Sequence, residues 1–347
     1  MERLPLVIAQ IITQPNETKS FYFKTDSPLD FVAGQYLTLI ATISGKEVRR
    51  TYSICSSPDE DTPFITVKRI DNGVFSRWLH DTVQVGQQLY CLPPNGQFTF
   101  VPNAQIKRSL FLIGAGTGIA PLRSMLLAAL VYEPLSEITL VYSNRSPEHT
   151  LFLEELNTLQ KQYPTRLNLV YLWSNAKNLS MARLNRDVLE KLVKQYVKHN
   201  REDALFYTCG PADYMLMCKI VLLGMGFEAN QIKKETFVLP EDEADDDDDT
   251  VKIPTDTNTY TVHLHAGEKQ YTLAVPYTET ILDIGLKHGI DLPYSCKSGM
   301  CSTCVATRTN GTVRMDYNEV LTDSEVANGR ILLCQSHPTS PDVIVTV

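Results

Sequence analysis

No run of about eighteen apolar residues occurs in this chain, which removes any helix read as crossing a bilayer. The opening MERLPLVIAQIITQP has no basic stretch ahead of an apolar one and no small-residue cleavage site, so a cytoplasmic protein without membrane insertion is expected. Basic residues form no patch, which argues against nucleic acid as a partner. His80, His149, His199, His263, His265, His288 and His337 form no ligand-spaced group, and no Ser-His-Asp or Cys-His order stands out. Cys55, Cys91, Cys209 and Cys218 lack a disulfide-framework spacing, as suits a reducing compartment. No internal repeat occurs. Net charge is also absent outside one stretch: residues 241–249, EDEADDDDD, hold eight acids and no base, so the net charge of −8 resides there and the remainder sums to zero. A run of like charges without apolar partners stays extended and solvated, so 239–256 is expected to be an acidic linker; the alternative is an electrostatic docking tail.

What remains is a chain of 347 residues, 43% hydrophobic and 21% charged, long enough for two or three folded domains. Its most specific feature is YSCKSGMCSTCV followed by LLCQ, which places Cys296, Cys301, Cys304 and Cys334 at C-x4-C-x2-C-x29-C. That is the spacing of a plant-type [2Fe–2S] site, in which four thiolates hold two irons. Zinc is the rival, although a zinc site usually pairs two short C-x2-4-C hooks and only one occurs here. Gly299 allows a tight backbone path, while Ser295, Ser298 and Ser302 are small enough to leave N–H groups free to point at sulfur. Around this loop, strand-like YTLAVP, an apolar-periodic helix ended near Gly289, and strand-like GTVRMD and DVIVTV make an α+β domain over 257–347.

Residues 1–104 read differently. PLVIAQIITQ, SFYFKT, QYLTLIATI, EVRRTYSIC, FITVKRI and QLYCLPP alternate apolar and polar positions between turns, which predicts an antiparallel β-barrel. Within RRTYSICSSP, Arg50 offers a cation for a phosphate, Tyr52 an aromatic face for a flat ring, and Ser53 a hydroxyl for a ring edge. In VKRIDNGVFSRWLHD a turn at Gly73 leads into a helix beginning Val74, Phe75, Ser76, whose free N–H groups suit a pyrophosphate.

From 105 to 238 the pattern changes to alternating strand and helix, implying a parallel sheet. SLFLIGAGTGIAP carries Gly114, Thr117, Gly118 and Pro121 in a strand, turn, helix order that admits a dinucleotide, and FYTCGPADYM puts Cys209, Gly210 and Pro211 on the loop after another strand. Cys209 also reads as an ordinary buried small residue. In VYSNRS, Ser143 and Arg145 offer a donor and a cation to a 2′-phosphate where an acid would favour NADH, so NADPH is favoured with NADH as the alternative; Arg183 is a further possible cation.

Taken together, these stretches resemble the ferredoxin-NADP reductase superfamily, with a C-terminal ferredoxin domain of the β-grasp kind carried by LPYSCKSGMCSTC. The resemblance covers nearly the whole chain, and its order of flavin, nicotinamide and cluster domains is similar to that of the reductase subunits of phenylacetyl-CoA epoxidase systems and their relatives. It implies FAD, with FMN as the alternative, held by Arg50, Thr51, Tyr52, Ser53 and Ser76, with Val67, Lys68, Gly73, Val74 and Phe75 around it. It implies that Ser53, Cys209 and Glu235 order the nicotinamide on the flavin, with Thr117 and Phe237 close by. It further implies electron flow from NADPH through FAD and the cluster to a protein acceptor, an oxygenase component. Alternatives are another oxygenase or desaturase as acceptor, and a stand-alone oxidoreductase reducing a small molecule. One departure is Ser302, where many relatives carry glycine.

Overall fold

In a computed structural model, which describes residues 3–25, 27–177, 182–237 and 257–347, three separate sheet systems follow one another along the chain. The acidic stretch 239–256 lies outside the described residues.

The alternating stretches of the first hundred residues become β1 (Leu4–Gln14), β2 (Thr18–Lys24), β3 (Tyr36–Ile43), β4 (Lys46–Ser53), β5 (Phe64–Lys68) and β6 (Gln88–Asn95), with helix α1 (Val74–Thr82) between the last two. They form one antiparallel sheet in the order β4-β3-β6-β1-β2-β5. A bridge between Ile54 and Ile65 joins its two edges, so the sheet curls into a barrel and exposes little free strand edge. Alternation puts Leu6, Ile8, Phe21, Phe23, Leu37 and Leu39 inside, and Phe75 and Leu79 of α1 plug the barrel. Fully burying each such side chain contributes about 1.5–3 kcal/mol before chain entropy is counted.

The second unit comprises β7 (Ser109–Ala115), α2 (Ile119–Tyr132), β8 (Glu137–Asn144), α3 (Leu153–Gln162), β9 (Leu167–Trp173), α4 (Arg186–Tyr196), β10 (Leu205–Cys209), α5 (Ala212–Gly224) and β11 (Ile232–Glu235). All its pairings are parallel, in the order β11-β10-β7-β8-β9. The order reverses between β7 and β10, and such a switch point opens a crevice at the carboxyl ends of the strands. Apolar runs such as SLFLIGA are buried on both faces, as expected where helices cover a parallel sheet. Arg123 of α2 fastens this unit to the barrel: it donates to the Cys55 carbonyl at 2.8 Å and to Glu60 at 2.9 Å, and also pairs with Glu155.

The third unit contains β12 (Thr259–Ala266), β13 (Lys269–Pro276), α6 (Ile281–Lys287), β14 (Val305–Asn310), β15 (Val313–Met315), α7 (Asp323–Ala327), β16 (Arg330–Leu332), β17 (Ser336–Pro338) and β18 (Val343–Thr346). Its main sheet runs β13-β12-β18-β14-β16, with α6 laid against it and β15 paired with β17. Thr280 caps α6 through the Asp283 N–H, and Gly289 at φ +71° follows its end.

Candidate active site and cluster loop

Strand pairing in the second unit aligns the residues expected to meet a nicotinamide. Cys209 at the end of β10 lies opposite Gly114 of β7 on one side and Glu235 of β11 on the other. The turn after β7 is closed tightly on β10: a Cβ on Gly118 would lie 2.2 Å from the Cys209 carbonyl oxygen, and one on Gly210 would lie 3.0 Å from the Ala115 Cβ. Gly116 takes φ +54°, a left-handed conformation suited to glycine. Thr117 is half-buried in this turn, and Pro121 sits in the first turn of α2, where no intrahelical N–H bond is forfeited. The Tyr214 hydroxyl donates to the Gly114 carbonyl at 3.2 Å and lies 3.1 Å from the Ser143 hydroxyl, so Ser143 already has a partner. Arg145, Arg183 and Pro211 are exposed.

The barrel contributes the other half. In β4, Arg50 and Tyr52 share one face while Thr51 and Ser53 share the opposite one. The Ser53 hydroxyl donates to Glu235 Oε2 at 2.8 Å, joining barrel and parallel sheet at the crevice. Burial pushes the Glu235 carboxyl up to about 8 despite that bond, and burial followed by Glu235 pushes the Cys209 thiol well above its ordinary value. Cys209 is therefore held as a neutral thiol. β11 stops at Glu235, where β10 also ends, so Phe237 lies beyond the strand and is 45% exposed.

On the far face of β4, the Tyr52 ring centroid is 6.0 Å from that of Phe75, which brings α1 beside Arg50 and Tyr52. Gly73 begins α1 with no side-chain cap, so its first N–H groups remain available to an anion. Ser76 is buried, and its hydroxyl accepts from the Ile70 N–H at 3.2 Å. Val74 is exposed and Phe75 buried. Val67 is buried, its carbonyl 2.8 Å from His80 Nε2, and Lys68 is exposed at the end of β5.

The cysteine loop wraps inward, and of the three serines expected to free an N–H toward sulfur only Ser298 is seen to do so. The N–H groups of Ser298 and Met300 point at Cys296 Sγ at 3.3 and 3.4 Å, and that of Cys296 points at Cys301 Sγ at 3.4 Å. Cys304 and Cys334 bring their sulfurs within 3.2 Å. Cys301 holds Cys296 well below the ordinary thiol range and Cys334 lowers Cys304, while Cys301 and Cys334 are correspondingly raised. Among the described residues no three His, Cys, Asp or Glu side chains are grouped to hold a single metal ion. Thiols close in pairs, with N–H groups aimed at sulfur and a buried Ser295 hydroxyl lacking any protein partner, fit a two-iron cluster better than one zinc. Gly299 at φ +75° passes close to Tyr317, whose carbonyl oxygen would lie 2.6 Å from a Cβ there. Ser302 adopts φ +50°, which gives the physical reason glycine suits this position.

Four residues absent from the sequence-based expectations also gather here. Tyr36 of the barrel bonds to the Cys301 carbonyl and lies 3.0 Å from the Thr303 hydroxyl. Arg49 stands 4.2 Å over the Tyr294 ring. A cavity of about 320 Å³ remains where the three units meet, lined in part by Tyr36, Phe98, Glu235, Cys301 and Glu319.

Comparison with known proteins agrees with this geometry. Residues 5–100 match the oxidoreductase FAD-binding domain, 112–219 the oxidoreductase NAD-binding domain and 264–339 the 2Fe-2S iron-sulfur cluster binding domain. A component of the 1,2-phenylacetyl-CoA epoxidase of Escherichia coli K12 is 32% identical, the match covering 98% of this chain and 96% of that one. The ferredoxin reductase component of 3-ketosteroid-9-alpha-monooxygenase from Mycobacterium tuberculosis is 33% identical, covering 99% and 95%. The chain belongs to this family of oxygenase reductase components. Its architecture is that of phthalate dioxygenase reductase, with a TM-score of 0.61, 24% identity and coverage of 99% of this chain and 98% of the other. It is an NAD(P)H-dependent flavin and iron–sulfur oxidoreductase whose cofactors are FAD, a [2Fe-2S] cluster and a pyridine nucleotide, and which passes electrons to a protein acceptor. Among the described residues no helix is long and apolar enough to cross a membrane.

Proposed function

We propose that the chain takes reducing equivalents from NADPH and delivers them to an oxygenase component, most closely of the phenylacetyl-CoA epoxidase kind, with cytoplasmic localisation. The observation that carries this reading is the meeting of Ser53, Cys209 and Glu235 at one crevice, joined by the 2.8 Å bond from Ser53 to Glu235. Bound FAD exchanges two electrons as hydride or one at a time, and the cluster exchanges one at a time.

In this reading, residues 1–104 hold FAD: Arg50, Ser76 and the uncapped start of α1 take its phosphates, Tyr52 covers its ring and Ser53 approaches the ring edge. Thr51, Val67 and Lys68 complete the surround. Residues 105–238 hold the nucleotide, with Gly114, Thr117, Gly118, Gly210 and Pro211 giving its pyrophosphate close access to backbone. Cys209, Glu235 and Phe237 shape the nicotinamide pocket, and Arg145 beside Ser143 reads the 2′-phosphate. Cys296, Cys301, Cys304 and Cys334 ligate the cluster in 257–347, and the acidic stretch 239–256 tethers that domain.

The test is an anaerobic titration of the purified holoprotein with NADPH and separately with NADH, following flavin and cluster bleaching. NADPH is expected to bleach both at the lower concentration, and Arg145→Ala to raise the NADPH requirement about tenfold while leaving the NADH response unchanged. Equal loss with both nucleotides would sink the assignment to a 2′-phosphate. Reoxidation of the reduced cluster by a phenylacetyl-CoA epoxidase oxygenase component tests the acceptor.

A further inference from the structure

Tyr36 is the first residue of β3, 5% exposed, and its register partner is Ser53. Partners across an antiparallel pair project on the same face, so the tyrosine ring and the serine hydroxyl project from one side of the barrel. Ser53 is engaged there with Glu235. The tyrosine hydroxyl reaches a different domain: it donates to the carbonyl of the cluster ligand Cys301 and lies 3.0 Å from the Thr303 hydroxyl, which is itself 3.3 Å from Cys301 Sγ. The barrel face that carries Ser53 thus reaches a cluster sulfur through two side chains, Tyr36 and Thr303.

The ring is also held from behind. Gly96 takes φ +128°, and a Cβ there would stand 3.1 Å from both Cδ1 and Cε1 of Tyr36, so the glycine lies flat against the ring.

We propose that Tyr36 is a positioning residue for electron transfer, docking the cluster loop onto the flavin barrel through its hydroxyl and fixing the gap that electrons cross. The redox balance would be one electron leaving reduced FAD per crossing and one ferric iron of the cluster becoming ferrous; the protein acceptor would take that electron before the second crossing, and the proton that came with the hydride would be released to solvent. The proposal rests on the placement of FAD beside Ser53. It extends that reading by assigning a docking role to Tyr36. Because the transfer rate depends steeply on the gap, a hydroxyl that sets the seating of the loop acts on the second half of the reaction.

Tyr36→Phe keeps the ring and removes only the donor. In stopped-flow mixing of the holoprotein with NADPH, the ratio of cluster reduction rate to flavin reduction rate is expected to fall about tenfold or more. Hydrogen–deuterium exchange of the holoprotein gives an independent readout, with amides 296–304 expected to exchange faster in the variant. Thr303→Val, which removes the other hydroxyl, should move both readouts the same way, whereas Tyr90→Phe at an exposed barrel position should move neither. A wild-type rate ratio in both Tyr36→Phe and Thr303→Val overturns the proposal. So does parallel slowing of flavin and cluster reduction, which would make Tyr36 a general packing residue. Failure of NADPH to bleach the flavin of the unmutated protein would instead overturn the parent placement of FAD.

Discussion

A carboxyl that folding keeps protonated near neutral pH is a thermodynamic load with a definite pH signature. Burial pushes Glu235 up from 4.5 to about 8, and the bond from Ser53 only partly opposes this. Between those values the folded chain retains a proton that the unfolded chain has released, so stability falls as pH rises through that window and the loss is complete above about 8. Glu235→Gln cannot ionise and should abolish this loss. Thermal unfolding of the apoprotein is expected to show the melting temperature of Glu235→Gln gaining on wild type between pH about 5 and about 9. A constant offset across that range would mean the carboxyl is solvated and unshifted. The chemical types at Arg50, Tyr52, Ser53, Cys209 and Glu235 could be read directly from the sequence because each sits inside a motif with its own turn or strand grammar. Tyr36 could not. A tyrosine opening the apolar strand YLTLIATI has the pattern of any core residue, and its partner Cys301 lies 265 positions away.

The turn that follows β7 shows what a single strand end requires of its neighbours. Gly118 has an ordinary negative φ of −61°, so its requirement is space: the Cys209 carbonyl oxygen would lie 2.2 Å from a Cβ. Gly118→Ala must therefore push the turn away from β10, spoiling the crevice and straining the sheet end by about 1–3 kcal/mol. Equilibrium denaturation should show that loss together with weakened NADP+ binding, while the [2Fe-2S] absorbance, carried by a different unit, stays at wild-type intensity. Unchanged stability and nucleotide affinity would show that the turn has slack. Strand and helix alternation made the existence of this turn legible, and period-two alternation did the same for all six barrel strands. The pairing order was not legible from local periodicity. The bridge from Ile54 to Ile65 that closes the barrel, and the alignment of Gly114, Cys209 and Glu235 across three strands, are products of register between distant segments.

How firmly the cluster domain is seated decides whether it can serve both the flavin and an external acceptor. Around the Tyr36 bond further links are thin: Lys234 pairs with Glu319, the Gln97 side chain bonds to Glu325, and Arg49, already paired with Glu47, stacks over Tyr294. Lys234 is 40% exposed and Glu319 25%. Such exposed pairs contribute about 0.2–1 kcal/mol and weaken with salt. Three of the four cluster cysteines are less than a tenth exposed in the seated arrangement, so weak seating would let the loop be presented elsewhere. If the pair orients the docked state, Lys234→Glu should slow cluster reduction by the flavin about two- to fivefold at low ionic strength, with the difference shrinking in high salt. Lys234→Glu combined with Glu319→Lys should restore the rate, because the swapped charges attract again. Delivery from a cluster already reduced by dithionite to cytochrome c, used as a probe acceptor, does not pass through the docked state and should be affected much less. Rapid mixing at two salt concentrations separates these cases. If the single variant is slow and the swapped pair equally slow, the position matters for packing alone and the ion pair has no part in seating the domain.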